Sequence, residues 1–260
     1  MKRISVIGFV LLISGTAVRA QGELEEQSPI FFRNEKSLSL VMGTRGLGIN
    51  GRYADRITAR RKTIYDADIL GFKDRKEYKQ RSNIVLNNRS FVYGKTNSFF
   101  VIQGGYGKQY EMFRKWDKGG ISIRRFWSAG PALGILKPIY YEIYNNIGIN
   151  EFEILTVKFD RNQHTDPRQF AGKASFFKGL KETSVVPGAC AKFGLMFEYS
   201  GNDISLHALE TGVMIDVFPK RIPIMATEQN DFLFVGMFFA YRFGKIFDAR
   251  GIIEQDDLLY

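Results

Sequence analysis

Between Ser184 and Phe247 the chain carries three strand-length segments that place an apolar residue at every second position and keep charges on the other parity. One parity reads Ala191, Phe193, Leu195, Phe197, Tyr199, then Leu209, Thr211, Val213, Ile215, Val217, then Leu233, Val235, Met237, Phe239, Tyr241, Phe243. The other holds Lys192, Glu198, Glu210, Asp216 and Arg242. A period of two is the spacing of a strand with two unlike faces. Three such segments with charge hidden on one face and Phe, Tyr and Leu on the other fit a wall with lipid outside and a polar bore inside. Lipid accepts strands only when every backbone hydrogen bond is satisfied in a closed sheet. The sequence therefore predicts an all-β fold, an antiparallel transmembrane β-barrel of about eight strands.

The first residues support export. Lys2 and Arg3 precede an apolar run from Ile4 to Ile13, and Val18-Arg19-Ala20 supplies small residues for cleavage before Gln21. The run is too short to span a bilayer, which takes about 20 apolar residues. Residues 1–20 are read as a signal peptide, 21–36 as a periplasmic segment, 37–247 as the barrel and 248–260 as an acidic periplasmic tail. The one cysteine, Cys190, excludes an internal disulfide. The formal net charge is +10, and losing Lys2, Arg3 and Arg19 with the leader lowers it by three. An exported basic chain meets anionic headgroups or acidic partner surfaces, not nucleic acid. Aromatic residues make up 14% of the chain, which suits a barrel with rings at its lipid interfaces.

The strand segments expected are Ser37 to Arg52, Thr63 to Phe72, Phe91 to Phe113, Ile121 to Leu136, Ile139 to Asn145 and the three above. Phe152 to Phe159 would enter in a ten-strand count. With the last strand running inward, Ser200 to Asp203 is a periplasmic turn, and the connections 146–183 and 220–231 lie outside. Asp74 to Arg89 then falls on the periplasmic side. It is too long for such a turn, so it is either a docking feature or the mark of a miscounted strand.

Gly46-Leu47-Gly48-Ile49-Asn50-Gly51 matches the spacing of a dinucleotide loop. That chemistry needs a helix after the glycines, and residues 52–62 carry no helical apolar stripe, so the glycines are read as part of a strand and no cofactor is expected. Asp66, Asp68, Lys192, Glu198, Glu210, Asp216 and Arg242, with Gln103, form the candidate interior cluster. An eight-strand bore is just wide enough to be filled by side chains, so these charges are expected to pair as a plug, with an ion or proton path as the alternative. Two basic tracts are candidate lipid or partner docking surfaces: Arg56, Arg60, Arg61 and Lys62 outside, and Arg75, Lys76, Lys79 and Arg81 in the second connection. Phe239, Tyr241 and Phe243 are read as the terminal-strand signal for barrel insertion, which would pair along an open strand edge. His164, with Asp160, Thr165 and Asp166 close in sequence, is the one set that a loop-borne hydrolase or acyltransferase could use. His207 is placed at headgroup level, and neither histidine has metal-ligand spacing.

Phe91-Val92-Tyr93-Gly94-Lys95, Gly134-Ile135-Leu136-Lys137-Pro138 and Phe218 to Ala226 resemble segments of a family of small outer-membrane barrels from Bacteroidota. Members of that family are mostly uncharacterised, and the resemblance implies a barrel similar to those that accompany larger envelope machines such as the barrel-assembly complex. It carries over no catalytic or binding residue. The expected function is a non-enzymatic accessory or scaffold subunit in the outer membrane, in contact with lipid and other envelope proteins. The alternatives are a small solute channel and a loop-borne enzyme using His164.

Overall fold

The structure, a computed structural model, describes residues 33–74, 76–81, 90–116, 119–148, 151–161, 163–164, 166–201, 204–227 and 230–248. The signal-peptide reading, the start of the mature chain and the acidic tail beyond residue 248 lie outside them. In chain order the strands are β1 (Arg33–Gly43), β2 (Gly46–Thr58), β3 (Arg61–Phe72), β4 (Lys79–Gln80), β5 (Phe91–Val92), β6 (Asn97–Phe113), β7 (Ser122–Pro138), β8 (Tyr140–Gly148), β9 (Glu151–Lys158), β10 (Phe170–Lys173), β11 (Ser184–Glu198), β12 (Ser205–Val217) and β13 (Leu233–Asp248).

Eight of them close a barrel in the order β1-β13-β12-β11-β7-β6-β3-β2. Every neighbouring pair is antiparallel, and β1 seals the wall on β13 from Arg33↔Asp248 to Gly43↔Phe238. The remaining strands form a three-stranded sheet, β10-β8-β9, and a two-stranded ribbon, β4-β5.

The number of wall strands agrees with the sequence, but the strand expected from Phe91 starts at Asn97, Phe91–Val92 pairing with β4 outside the wall, and two further assignments differ more. Residues 37–52 are not one strand: β1 and β2 form a hairpin around Thr44-Arg45, and β1 begins ahead of Ser37, at Arg33. The turn has no Asn-Gly or Asp-Gly signal, and the outward parity passes from Leu38, Leu40 and Met42 to Leu47 and Ile49 across it. Gly46 makes it possible, since its φ is 154° and a Cβ there would sit 1.8 Å from the carbonyl oxygen of Gly71. The second correction concerns Ile139 to Asn145, which belongs to β8 and pairs with β9 and β10 outside the wall. Residues 152–159, the ten-strand option, fall largely in β9 of that same sheet.

The two corrections reset the direction of the strands. Short turns, 59–60, 114–121 and 199–204, lie at one rim together with Arg33 and Asp248. The connections 73–96, 139–183 and 218–232 lie at the other. Short turns mark the periplasmic rim and long ones the outside. The basic second connection is therefore external, and its length is no longer anomalous.

The strand β3 shows how the bore is built. Its buried positions run Lys62, Ile64, Asp66, Asp68, Leu70, Phe72 from the periplasmic to the external rim, while Tyr65 and Ile69 face outward, 50% and 52% exposed. The lower bore is ionic and the upper bore is apolar. Phe72, Phe99, Phe218 and Phe234 pack with ring centroids 5.4–6.0 Å apart, with Ile222, Ile224 and Met225 of the last external connection joined to the same core. A second, separate core lies in the external sheet: Phe91, Ile139, Tyr141 and Phe170, with Tyr93, Ile143 and Phe159 against them.

Candidate functional site

The lower bore brings the predicted interior charges together. Glu210 on β12 accepts from Arg52 Nη1 at 2.7 Å and from Arg242 Nε and Nη2 at 2.6 and 3.0 Å. Arg52 also donates to both carboxylate oxygens of Asp66 at 2.7 and 3.2 Å, and its guanidinium lies 4.3 Å from the Phe126 ring centroid. Ser128 donates to Asp66 at 2.9 Å, and Arg242 donates to Ser37 Oγ at 2.9 Å and to Asn50. One layer up, Lys192 pairs with Asp68 and Gln103 donates to Asp216. One layer down, Lys62 and Arg124 share Glu35, and Arg124 and Lys115 share Glu198. All seven predicted interior residues are buried and each has a polar partner.

Charges removed from water are costly unless paired and hydrogen-bonded, and here the bore satisfies most of them from within. The exceptions are single atoms: Asn50 Nδ2, Gln109 Oε1, Asp216 Oδ2 and Arg56 Nε have no partner. A void of about 10 Å³ lies at each end of the bore, lined by Val41, Leu70, Phe72 and Met214 above and by Arg56, Lys62, Gln109 and Arg124 below. Each has space for about one water molecule.

Sequence reasoning missed Glu35, Arg52 and Arg124, which take part in five of the eight ion pairs of this network. For Arg52 and Glu35 the signal was available: splitting the first hairpin puts Glu35, Ser39, Asn50 and Arg52 on the inner parity. Arg124 stands beside Arg125, which faces out over the Tyr110 ring at 5.3 Å, so parity had to be anchored on Phe126 to choose between them.

The first basic tract is not an external docking surface. Arg56, Arg60, Arg61 and Lys62 sit at the periplasmic rim, where Lys62 is buried in the bore and Arg61 lies over the Tyr110 ring. In the second tract Lys79 and Arg81 are exposed on the external side, and Arg75 lies outside the described residues. Phe239, Tyr241 and Phe243 face outward, 67%, 40% and 39% exposed. His207 is beside Tyr241, its Nδ1 3.1 Å from the hydroxyl. Gly46, Gly48 and Gly51 lie within β2, and the next element is the strand β3, not a helix.

His164 is enclosed by the second core. Its ring lies 5.7 and 6.0 Å from the Phe170 and Phe159 rings, its Nδ1 accepts the backbone N–H of Asp160 at 2.9 Å, and its carbonyl accepts from Tyr93 Oη at 2.7 Å. Only 6% of it is exposed. Asp166 caps the N–H of Arg168 at 2.9 Å. Thr165 lies outside the described residues. Burial pushes the Tyr141 phenol well above its ordinary value, and its hydroxyl lies 2.7 Å from the carbonyl oxygens of both Val92 and Lys95.

The three segments that carry the sequence resemblance converge on the external mouth. Ala226 N–H donates to Gly94 at 2.7 Å and Thr96 N–H to Ile224 at 2.9 Å. Phe218 lies against Gly134, where an added Cβ would sit 3.0 Å from the Phe218 ring. The external connections thus close over the bore as one cap. No group of three or more metal-ligating side chains occurs among the described residues.

The outer wall decides where such a barrel resides. Leu40, Met42, Phe193, Leu209, Met237 and Phe239 face outward, 53–67% exposed, around a charged bore. Toward the periplasmic rim, Tyr53, Tyr65 and Tyr106 form a girdle with ring centroids 5.5–6.3 Å apart, and Trp116 at the β6–β7 turn is 96% exposed. An apolar belt with aromatic edges is stable only in lipid. The protein is an outer-membrane β-barrel.

No family model matches the chain, and no curated protein matches it by sequence. Solved structures similar to it include the N-terminal β-barrel domain of Pseudomonas aeruginosa OprF, at 10% identity and a TM-score of 0.36 over 84% of this chain and 98% of that one. The attachment invasion locus protein Ail of Yersinia pestis is similar at 10% identity and a TM-score of 0.37, over 84% of this chain and all of that one. Neisserial surface protein A is similar at 11% and 0.35, over 82% and 96%.

Proposed function

We propose that this outer-membrane barrel is a non-enzymatic accessory or scaffold subunit of an outer-membrane protein-assembly or secretion complex. The observation that carries this reading is the division of the molecule: the bore is filled by paired charges below and by aromatic rings above, while the external connections build a cap with its own core. Material does not pass through a bore so filled, and binding energy is available where folded surface is displayed. The cap offers β9 and β10 as outer strands of its sheet, with Tyr78, Lys79 and Arg81 exposed near it. A strand edge and a basic rim suit a protein partner with an extended segment and acidic side chains. The sealing of His164 among aromatic rings supports a structural role for that residue over a loop-borne catalytic one. Affinity purification from native membranes in mild detergent is the test. Stoichiometric recovery with other envelope proteins is the expected result, and recovery of the barrel alone would overturn the reading.

A further inference from the structure

Between β10 and β11 the chain leaves the external sheet, reverses, and re-enters the wall at Ser184. Along residues 174–183 it exposes three large apolar side chains: Phe176 at 46%, Phe177 at 76% and Leu180 at 47%. They are continuous with the lipid-facing wall. The Phe176 ring lies 6.4 Å from that of Phe100 on β6, and Val185, 52% exposed, pairs in register with Ile135. The apolar belt therefore does not stop at the top of the strands but continues onto this reversal.

The segment is held in place. Gly179 has φ 85°, and a Cβ there would meet the Tyr140 ring at 2.9 Å and the Pro138 carbonyl at 3.1 Å. Thr183 Oγ1 donates to the Leu180 carbonyl at 2.8 Å. The segment's one carboxylate, Glu182, is engaged by Lys158 and by the Tyr140 hydroxyl, which together hold it below the usual carboxylate range. Lys178 and Lys181 are exposed, and no carboxylate among the described residues lies within ion-pair distance of either. Lys137 adds a third positive charge beneath, its ammonium 4.6 Å from the Phe176 ring centroid. Large apolar side chains joined to the lipid-facing belt and alternating with lysines are the pattern of a segment lying in a membrane interface. The rings enter the acyl zone and the long lysine stems reach back to the headgroups.

We propose that residues 174–183 are an anchor in the outer leaflet, with Phe177 and Leu180 in the acyl region and Lys178 and Lys181 pairing with the phosphates of an outer-leaflet lipid. This anchor depends on the placement of the long connections outside and is independent of the scaffold role proposed above.

The test is native mass spectrometry of the full-length protein released from nanodiscs of phosphatidylcholine doped with diphosphorylated lipid A. Wild type should retain lipid A. The Lys178→Gln/Lys181→Gln variant should retain it about fivefold less per lysine, roughly 25-fold for the pair. Phe177→Ser/Leu180→Ser should also lower retention. Arg60→Gln/Arg61→Gln, at the opposite rim, should match wild type, and dephosphorylated lipid A should be retained as poorly by wild type as by the lysine variant. Heat-modifiable gel mobility confirms that each variant is folded. Wild-type retention by the lysine variant, an equal loss in the Arg60/Arg61 variant, or equal retention of dephosphorylated lipid A would each overturn the proposal.

Discussion

Replacing Glu210 with Gln tests whether the ion pairs hold the barrel together or merely occupy it. Glu210 is 3% exposed and receives three guanidinium N–H groups at 2.6, 2.7 and 3.0 Å from two different strands, β2 and β13. Charge-assisted hydrogen bonds contribute about 1.5–3 kcal/mol each. A neutral amide offers one acceptor oxygen and turns an N–H₂ toward the second guanidinium. Arg52 keeps Asp66, and Arg242 keeps Asn50 and Ser37, so neither cation is fully abandoned. Breaking a buried pair from one side costs about 3–5 kcal/mol, and the remaining partners place the expected loss near the lower end, about 3 kcal/mol. Urea unfolding in phosphatidylcholine vesicles, followed by tryptophan fluorescence, measures it. The double variant Glu210→Leu/Arg242→Met removes charge from both sides and should cost less than the sum of its two single variants, by roughly 1–3 kcal/mol. A Glu210→Gln loss below about 1 kcal/mol together with additive behaviour in the cycle would refute the reasoning.

The cap should fail separately from the wall. Phe170 is fully buried in the second core, so Phe170→Ala should cost the cap about 3–5 kcal/mol; external protease should then cut the 139–183 connection of intact cells, with heat-modifiable mobility unchanged. The same core should loosen in alkali. Because burial raises the Tyr141 phenol above its ordinary 10.0, its contribution is complete below about pH 10 and is lost as pH rises toward the folded value, by about 1.4 kcal/mol per unit. Protease sensitivity of the cap should rise above pH 10 in wild type, and Tyr141→Phe should lack that rise. His164→Ala, which removes a ring enclosed by Phe159 and Phe170, should likewise sensitise the cap to protease and leave the barrel folded. A variant cap as resistant as wild type would contradict its place in the core.

What the sequence disclosed followed from one period. Alternation in β11, β12 and β13 is unbroken, so parity alone placed Lys192, Glu198, Glu210, Asp216 and Arg242 inside. It failed where a strand turned without announcing itself, as at Thr44-Arg45, and where a strand outside the wall carried the same β signal as one within it, as in β8. The second error alone reversed the direction of the wall strands before it and moved residues 74–89 to the wrong rim. It also moved Arg56, Arg60, Arg61 and Lys62 outward, while the first error hid Arg52 and Glu35. The buried state of His164 was not legible, because Tyr93 comes from a different connection, and Phe159 and Phe170, though in the same one, close on the histidine only when the cap folds.

The central claim is that the bore is closed, ionic below and aromatic above. Planar-bilayer recording of the refolded protein tests it most directly. The filled bore predicts a silent membrane at all applied voltages, and stable single-channel steps from the wild-type barrel would contradict it.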